Sequence, residues 1–293
     1  MNTSDKIKYS RSPKRATAKD YIKGIFSNFM EMHGDRRFGD DKAMICGIAW
    51  LKNKAVTVIG IEKGKDLVDK VNHNFGCVAP EGYRKALRAM KQAEKFKRPV
   101  VCFVDTQGAA CGDGAEERGA GQAIAENLAE MMTLKVPVIT VVIGEGGSGG
   151  ALALSVSDEI CMLENAYYSV ITPEACASIL YKDASKNIEA AEHLKLFARD
   201  LYDMKIVDKI ISEPEDFTDK SQLDAFMEKL EKHLYKKLGS LEKKSVDELL
   251  ENRYNKFRSI GQYSEIFVDD SSQDDEHKFS FTEFVKKRFV SYG

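Results

Sequence analysis

Between Val141 and Ser155 the chain reads VVIGEGGSGGALALS, five glycines within seven residues directly after an apolar run. Several chemistries share that spacing. Gly144, Gly146 and Gly149 match a dinucleotide-binding fingerprint, with Glu164 twenty residues beyond Gly144 as the ribose-binding acid. Only residues 149–157 are then left for the helix, and Glu145 sets a carboxylate beside the pyrophosphate position. A phosphate-binding P-loop needs lysine and a hydroxyl residue where Gly150 and Ala151 stand. Residues 146–150 also spell a nucleophile elbow around Ser148, for which Asp158 and His193 are the downstream candidates for acid and base; spacing alone does not bring them together. The glycines are best suited to close approach of a ligand to bare backbone. At a helix start their N–H groups converge on one oxygen, and the helix dipole favours negative charge there. That is an oxyanion hole with no obligatory nucleophile. Glycines that merely pack helices on strands are the plainer alternative.

A second glycine loop, DTQGAACGDGAEER over residues 105–118, follows another apolar strand and also leads into a helix. Two such loops at the carboxyl ends of neighbouring parallel strands would line one cleft.

The elements that must position these loops repeat a plan. A helix opens at Pro80 and runs to Phe96, and Val100–Val104 is a buried strand. The same order returns 38 residues later from Pro137 through residues 138–143, and a third pass runs through residues 159–163. Thr172 followed by Pro173 is a helix N-cap with proline at the first helical position. Continuous apolar strands alternating with helices imply an α/β core with parallel strands covered on both faces. Upstream, residues 44–51 and 55–61 form a hairpin around a Lys-Asn-Lys turn, and the spacing of Ile22, Ile25, Phe26 and Phe29 predicts a helix ending near Gly34. Beyond Glu213 the pattern changes to long charged helices, one of them opened by a capping box at Ser245–Glu248. After an acidic link, Phe281, Phe284 and Phe289 suit a small amphipathic surface helix.

Lysine plus arginine number 44 against 46 acids, so neither a nucleic-acid partner nor a strongly acidic one is expected. The six cysteines are scattered without a Cys-x-x-Cys pair, which favours reduced thiols and no metal in this chain. Neither a signal peptide nor a membrane span is expected, and a cytoplasmic location follows.

The runs NFGCVAPEGYRKALR (74–88), DTQGA (105–109), GAEERG (114–119), VIGEGGSGGALA (142–153) and YSVITPEACASIL (168–180) together resemble the α subunit of bacterial acetyl-CoA carboxylase carboxyltransferase. His33–Arg36 and ENRYNKF (251–257) extend the likeness over about residues 20–262. The resemblance implies a crotonase-like spiral of ββα units with additional C-terminal helices. Periodicity and composition, taken with the extent of the resemblance, divide the chain into a basic flexible arm (1–19), a carboxyltransferase domain including the C-terminal helices (20–265), and an acidic linker with a Phe-rich tail (266–293), both ends being departures from the family pattern. The resemblance further implies an α2β2 assembly with a zinc-binding β subunit that supplies the acyl-CoA half of the site. Biotin carboxylase and the biotin carboxyl carrier protein complete the system.

In that family carboxybiotin on the carrier gives its carboxyl group to acetyl-CoA, making malonyl-CoA for fatty acid synthesis. The ureido anion left after loss of CO2 takes the proton from the acetyl methyl group, so anion-stabilising donors matter more than a titrating side chain. By the matching motif, backbone N–H groups at Gly146 and Gly147 are assigned to the ureido oxygen, and Gly149 and Gly150 shape the helix start. Gly108 and Ala109 form the adjoining wall, and Arg118 is an electrostatic residue unless it pairs internally with Glu116 or Glu117. The chain departs from the family loop, Asp-Thr-Pro-Gly-Ala-Tyr-Pro-Gly, at Gln107, Ala110 and Cys111. A carboxyltransferase for another acyl-CoA and a non-catalytic paralogue that binds the β chain therefore stay open.

Overall fold

The glycine loops sit at the end of a sheet that begins as an antiparallel hairpin. In the computed structural model, which describes residues 1–261, β1 (Ser27–Glu31), β2 (Met44–Leu51) and β3 (Lys54–Ile61) pair antiparallel. From β3 the sheet continues in parallel through β4 (Val100–Thr106), β5 (Val138–Gly147) and β6 (Glu159–Leu163). β7 (Tyr167–Ser169) pairs with the last three residues of β5, and β8 (Lys209–Ile211) closes the edge beside β6. Every residue of β4 and β5 is buried, as their unbroken apolar runs require. The helices Pro80–Lys95 and Ala120–Thr133 pack together after β3 and β4, which gives the repeated strand, loop and helix unit. Residues 266–293, with the Phe-rich segment, lie outside the described residues.

The expected helix from Asp20 to Gly34 divides in two. It spans Ala18–Ile25 and then gives way to β1, which adds to the edge of β2. Gly47 explains why: a Cβ there would lie 2.3 Å from the Phe29 ring, so bare strand backbone receives that ring and draws residues 27–31 onto the sheet. Helical spacing of apolar residues did not exclude a strand that short.

The first nineteen residues, read as a basic flexible arm, are docked. Thr3–Ser10 is a helix whose N-cap Asn2 accepts a hydrogen bond from the Asp5 N–H. Behind it Arg15 is buried, paired with Glu213 at 2.6 Å and placed over the Tyr9 and Phe217 rings, each 5.0 Å away. The segment is held by cations on carboxylates and rings, an anchoring that apolar periodicity does not reveal.

At the other end of β5 the Val246–Arg258 helix is fixed by Arg253, the largest fully buried side chain among the described residues. Its guanidinium donates to both Asp158 oxygens (2.9 and 2.8 Å) and to the carbonyls of Met131, Leu134 and Val136 (2.6, 2.8 and 3.0 Å). All of those acceptors lose their partner together when the side chain is truncated. Arg253→Ala is expected to destabilise the protein by about 3–5 kcal/mol, the usual cost of breaking a buried pair. Urea denaturation checks it; a loss below ~1 kcal/mol would show that water replaces the guanidinium freely.

Candidate functional site

The two glycine loops lie side by side because β4 and β5 are neighbours, with Thr106 opposite Gly146. Their contact is backbone on backbone. A Cβ on Gly147 would lie 2.1 Å from the Gln107 carbonyl oxygen, and one on Gly150 would lie 2.7 Å from the Ala109 nitrogen. The Thr106 hydroxyl accepts from the Gly108 N–H at 3.0 Å and donates to the Gly108 carbonyl at 2.7 Å, fixing the turn. The structure thus brings Gly108, Ala109, Gly146, Gly147, Gly149 and Gly150 together. Gly146, Gly147 and Gly150 are buried, Gly149 is half-buried, and Ser148 between them is exposed. Ser148 takes the left-handed conformation (φ 52°) and starts a helix of only five residues, Ser148–Leu152. So short a helix adds little dipole, and its first N–H groups lack an intrahelical acceptor.

Beneath the loop lies a charge network. Glu145 is buried, yet Lys63 reaches its Oε2 at 2.7 Å, Arg11 its Oε1 at 2.8 Å, and the Tyr167 hydroxyl donates to Oε1 at 2.6 Å. Lys63 also pairs with Asp105 at 2.8 Å, and Asp105 Oδ1 accepts from the Glu145 N–H at 2.9 Å. Arg11 continues to both oxygens of Glu174, at 2.7 and 3.2 Å. Burial alone would raise the Glu145 carboxyl; Lys63, Tyr167 and Arg11 overcome it and hold the group below its ordinary range. Burial likewise opposes the Lys63 charge, and Asp105 and Glu145 reverse the effect. Glu174, bonded chiefly to Arg11, falls to about 2.

Not every candidate joins the loops. Arg118 pairs with Glu81 (3.1 and 3.3 Å) and stacks 4.7 Å over Phe38, and neither Glu116 nor Glu117 is its partner. Its role is to tie the second loop to the Pro80–Lys95 helix. The nucleophile-elbow constellation does not assemble: Asp158 is bound to Arg253 and accepts from the Val138 N–H at the start of β5, the far end from Ser148. His193 is exposed on the Asn187–Leu194 helix, and no side-chain hydrogen bond reaches Ser148 among the described residues. Residues that the sequence did not single out are Arg11, Lys63, Tyr167 and Glu174. A further one is Tyr83, whose buried hydroxyl lacks a partner among the described residues and stands 3.0 Å from a Gly150 Cβ position. The available signal was Glu145 itself, a carboxylate between glycines in a buried strand, which demands cations from elsewhere in the chain.

The exposed side of the loop opens on a cavity of about 450 Å3. Ser148, Gly149 and Ser169 give it a polar edge, and Leu152, Tyr168 and Met204 are among its apolar walls. No helix among the described residues is long and apolar enough to cross a membrane.

The mixed sheet with its helices and paired glycine loops has the crotonase-like fold of the solved structures it resembles. The structure is similar to a Pseudomonas malonate decarboxylase hetero-tetramer chain (TM-score 0.64, 17% identity, 83% of this chain and 96% of that one). It is also similar to transcarboxylase 12S (TM-score 0.59, 19% identity, 75% and 42%). The family model for acetyl co-enzyme A carboxylase carboxyltransferase-like proteins matches residues 1–261, and the chain belongs to that family. The acetyl-coenzyme A carboxylase carboxyl transferase subunit alpha of Clostridium perfringens is 57% identical over 256 residues, 87% of this chain and 94% of that one. Its counterpart in Ruminiclostridium cellulolyticum is 54% identical over 265 residues, 90% and 100%. A Natranaerobius thermophilus relative, 54% identical over 268 residues (92% of this chain and 44% of that one), carries subunits beta and alpha in one chain.

The Arg11 pairs give a pH signature. Both carboxyl values are depressed, so their stabilisation is complete above the ordinary value of 4.5 and is lost as pH falls below it, for Glu174 as pH approaches about 2. Arg11→Gln should lower Tm by about 2–4 °C at pH 7, the shift that ~1 kcal/mol produces in a domain of this size, since partial exposure of Arg11 and Glu174 weakens the pair. The gap to the parent protein should shrink between pH 4.5 and 2 in thermal melts. A gap that stays constant with pH would remove the ion pairs as its cause.

Proposed function

We propose that this chain is the α subunit of an acetyl-CoA carboxylase carboxyltransferase and provides the carboxybiotin half of a site shared with a β subunit. The observation that carries this reading is the backbone-on-backbone apposition of the two glycine loops beside an apolar cavity, within a chain more than half identical to named α subunits. When bound, carboxybiotin supplies the carboxyl group that passes to acetyl-CoA to give malonyl-CoA. The apolar walls formed by Leu152, Tyr168 and Met204 suit a bicyclic ring, and the polar edge at Ser148 and Gly149 suits its ureido oxygen.

In this reading the oxyanion donors are the loop N–H groups that reach the cavity, at Ser148 and Gly149, and Gly146 and Gly147, buried in β5 between β4 and β7, set their position. One well-aimed donor contributes about 3 kcal/mol to transition-state stabilisation. Gly150, Gly108 and Ala109 hold the loop at the spacing the donors need, and Arg118 acts on the second loop through Glu81. The chain works in the cytoplasm, in an α2β2 assembly with a zinc-binding β subunit, and with biotin carboxyl carrier protein and biotin carboxylase as further partners. No metal takes part in this chain's share of the transfer.

The test is reconstitution with the β chain, following malonyl-CoA turnover against a free biotin derivative. Turnover should require both chains; vigorous malonyl-CoA decarboxylation by this chain alone would overturn the reading, and a sound complex without turnover would make it a non-catalytic paralogue. Within the active complex, Ser148→Ala should keep kcat/KM within about tenfold, because backbone and not hydroxyl is the working group, whereas loss of a donor costs about a hundredfold or more. Gly147→Val should reach that larger loss, since its Cβ has no room beside Gln107. Equal losses from the two substitutions would place the chemistry on the serine.

A further inference from the structure

β6 pairs with the first half of β5, away from the glycine loops, and its alternate residues Glu159 and Cys161 point to one face. The Lys220–Leu241 helix crosses that face and lowers His233 between them. His233 Nε2 lies 2.7 Å from Glu159 Oε1 and 3.5 Å from Cys161 Sγ, and the thiol donates to the same carboxylate oxygen at 3.2 Å. The carboxylate and thiol are buried, while the imidazole is 19% exposed and borders a cavity of about 350 Å3. The expectation of no metal rested on cysteine spacing; here the three donors come from a strand and a helix 72 residues apart, which spacing does not display. The transfer chemistry makes no use of them.

We propose that Glu159, Cys161 and His233 form a site for a single thiophilic divalent cation of the zinc class, with a water from the adjoining cavity as fourth ligand. A tetrahedral site with Zn–S about 2.3 Å and Zn–N or Zn–O about 2.0–2.1 Å puts sulfur about 3.5 Å from the other donors and nitrogen about 3.3 Å from oxygen. The sulfur–nitrogen separation already has that value. The other two are shorter because hydrogen bonds now join those atoms; a small swing of the partly exposed His233 ring opens the nitrogen–oxygen pair, and a small rotation of the Glu159 carboxylate opens the sulfur–oxygen pair. Lys237 pairs with the second oxygen of Glu159, so it orients the carboxylate to bind through Oε1. Binding exchanges a proton for the cation: the thiol proton passes to solvent, the imidazole binds through Nε2 as its neutral tautomer with the ring proton on Nδ1, and no redox change occurs. Because the ligands converge only in the folded chain, occupancy ties the Lys220–Leu241 helix to the sheet and stabilises the native state.

Cobalt(II) titration of the metal-stripped full chain tests this directly. The expected result is one equivalent bound, with thiolate charge-transfer absorption and the visible bands of tetrahedral cobalt, both bleached by one equivalent of zinc. His233→Gln and Cys161→Ser should each abolish the bands, whereas a Cys77→Ser/Cys111→Ser double variant, lacking the two cysteines that are not fully buried, should keep them. Zinc should raise the Tm of the parent protein but not of His233→Gln, whose melt without metal confirms that it folds. The proposal is overturned if no tetrahedral thiolate spectrum develops, if it survives in His233→Gln, or if it disappears from the Cys77/Cys111 double variant.

Discussion

Glu145 is a carboxylate buried inside a strand, flanked by glycines, and unpaired it would be among the most costly groups in the molecule. Its partners come from three other places in the chain: Arg11 behind the N-terminal helix, Lys63 just beyond β3, and Tyr167 at the start of β7. Asp105, at the end of β4, shares Lys63 and accepts the Glu145 N–H. Folding that satisfies this one side chain therefore also fixes the ends of β3, β4, β5 and β7 relative to one another. The loop that begins at Gly146 starts from that fixed point.

Rigidity below the loop matters because the approach above it tolerates no spare atoms. Gly144 leaves room for the Asp105 carboxylate, 2.5 Å from where its Cβ would stand, and Gly147 and Gly150 leave room for the backbone of residues 107–109. Gly149, by contrast, has only ordinary contacts with Ile124 at 3.7 Å. The five glycines thus have different tasks. Three admit neighbours and hold the two loops at a set distance, Gly146 sits against Tyr167 and Tyr168, and Gly149 leaves the cavity side open.

What could be read from sequence follows the same division. The strands β4, β5 and β6 and the cap at Thr172 were visible because local apolar runs and capping chemistry specify them; the Thr172 hydroxyl does accept from the Ala175 N–H. The apposition of the glycine loops was also legible, since it depends on parallel neighbouring strands. β1 was not, because its place depends on a bare patch at Gly47 that only the paired sheet creates. Nor was the docking of Thr3–Ser10, whose following Arg11 finds Glu174 across 163 residues. Arg118 shows the limit of reading roles from a motif: its nearest acids in sequence are Glu116 and Glu117, but the fold gives it Glu81.

Ser148 shows how one turn can satisfy patterns for different chemistries. A nucleophile elbow and an oxyanion loop both need a sharp passage from strand to helix, and both place the residue at its apex in a strained conformation, here φ 52°. The difference lies in the surroundings: Asp158 is committed to Arg253 at the opposite end of β5, so the turn presents backbone and not an activated hydroxyl. The walls of the cavity beside it point the same way. Val170 is 78% exposed at the rim, and Ile179 and Leu180 are exposed on the neighbouring Pro173–Tyr181 helix, which Arg11 holds through Glu174. Apolar side chains held in place yet left in solvent suit a surface that another chain covers. Under the proposed function these side chains belong to the face that a β subunit would cover, beside the glycine loop and the apolar wall of the cavity.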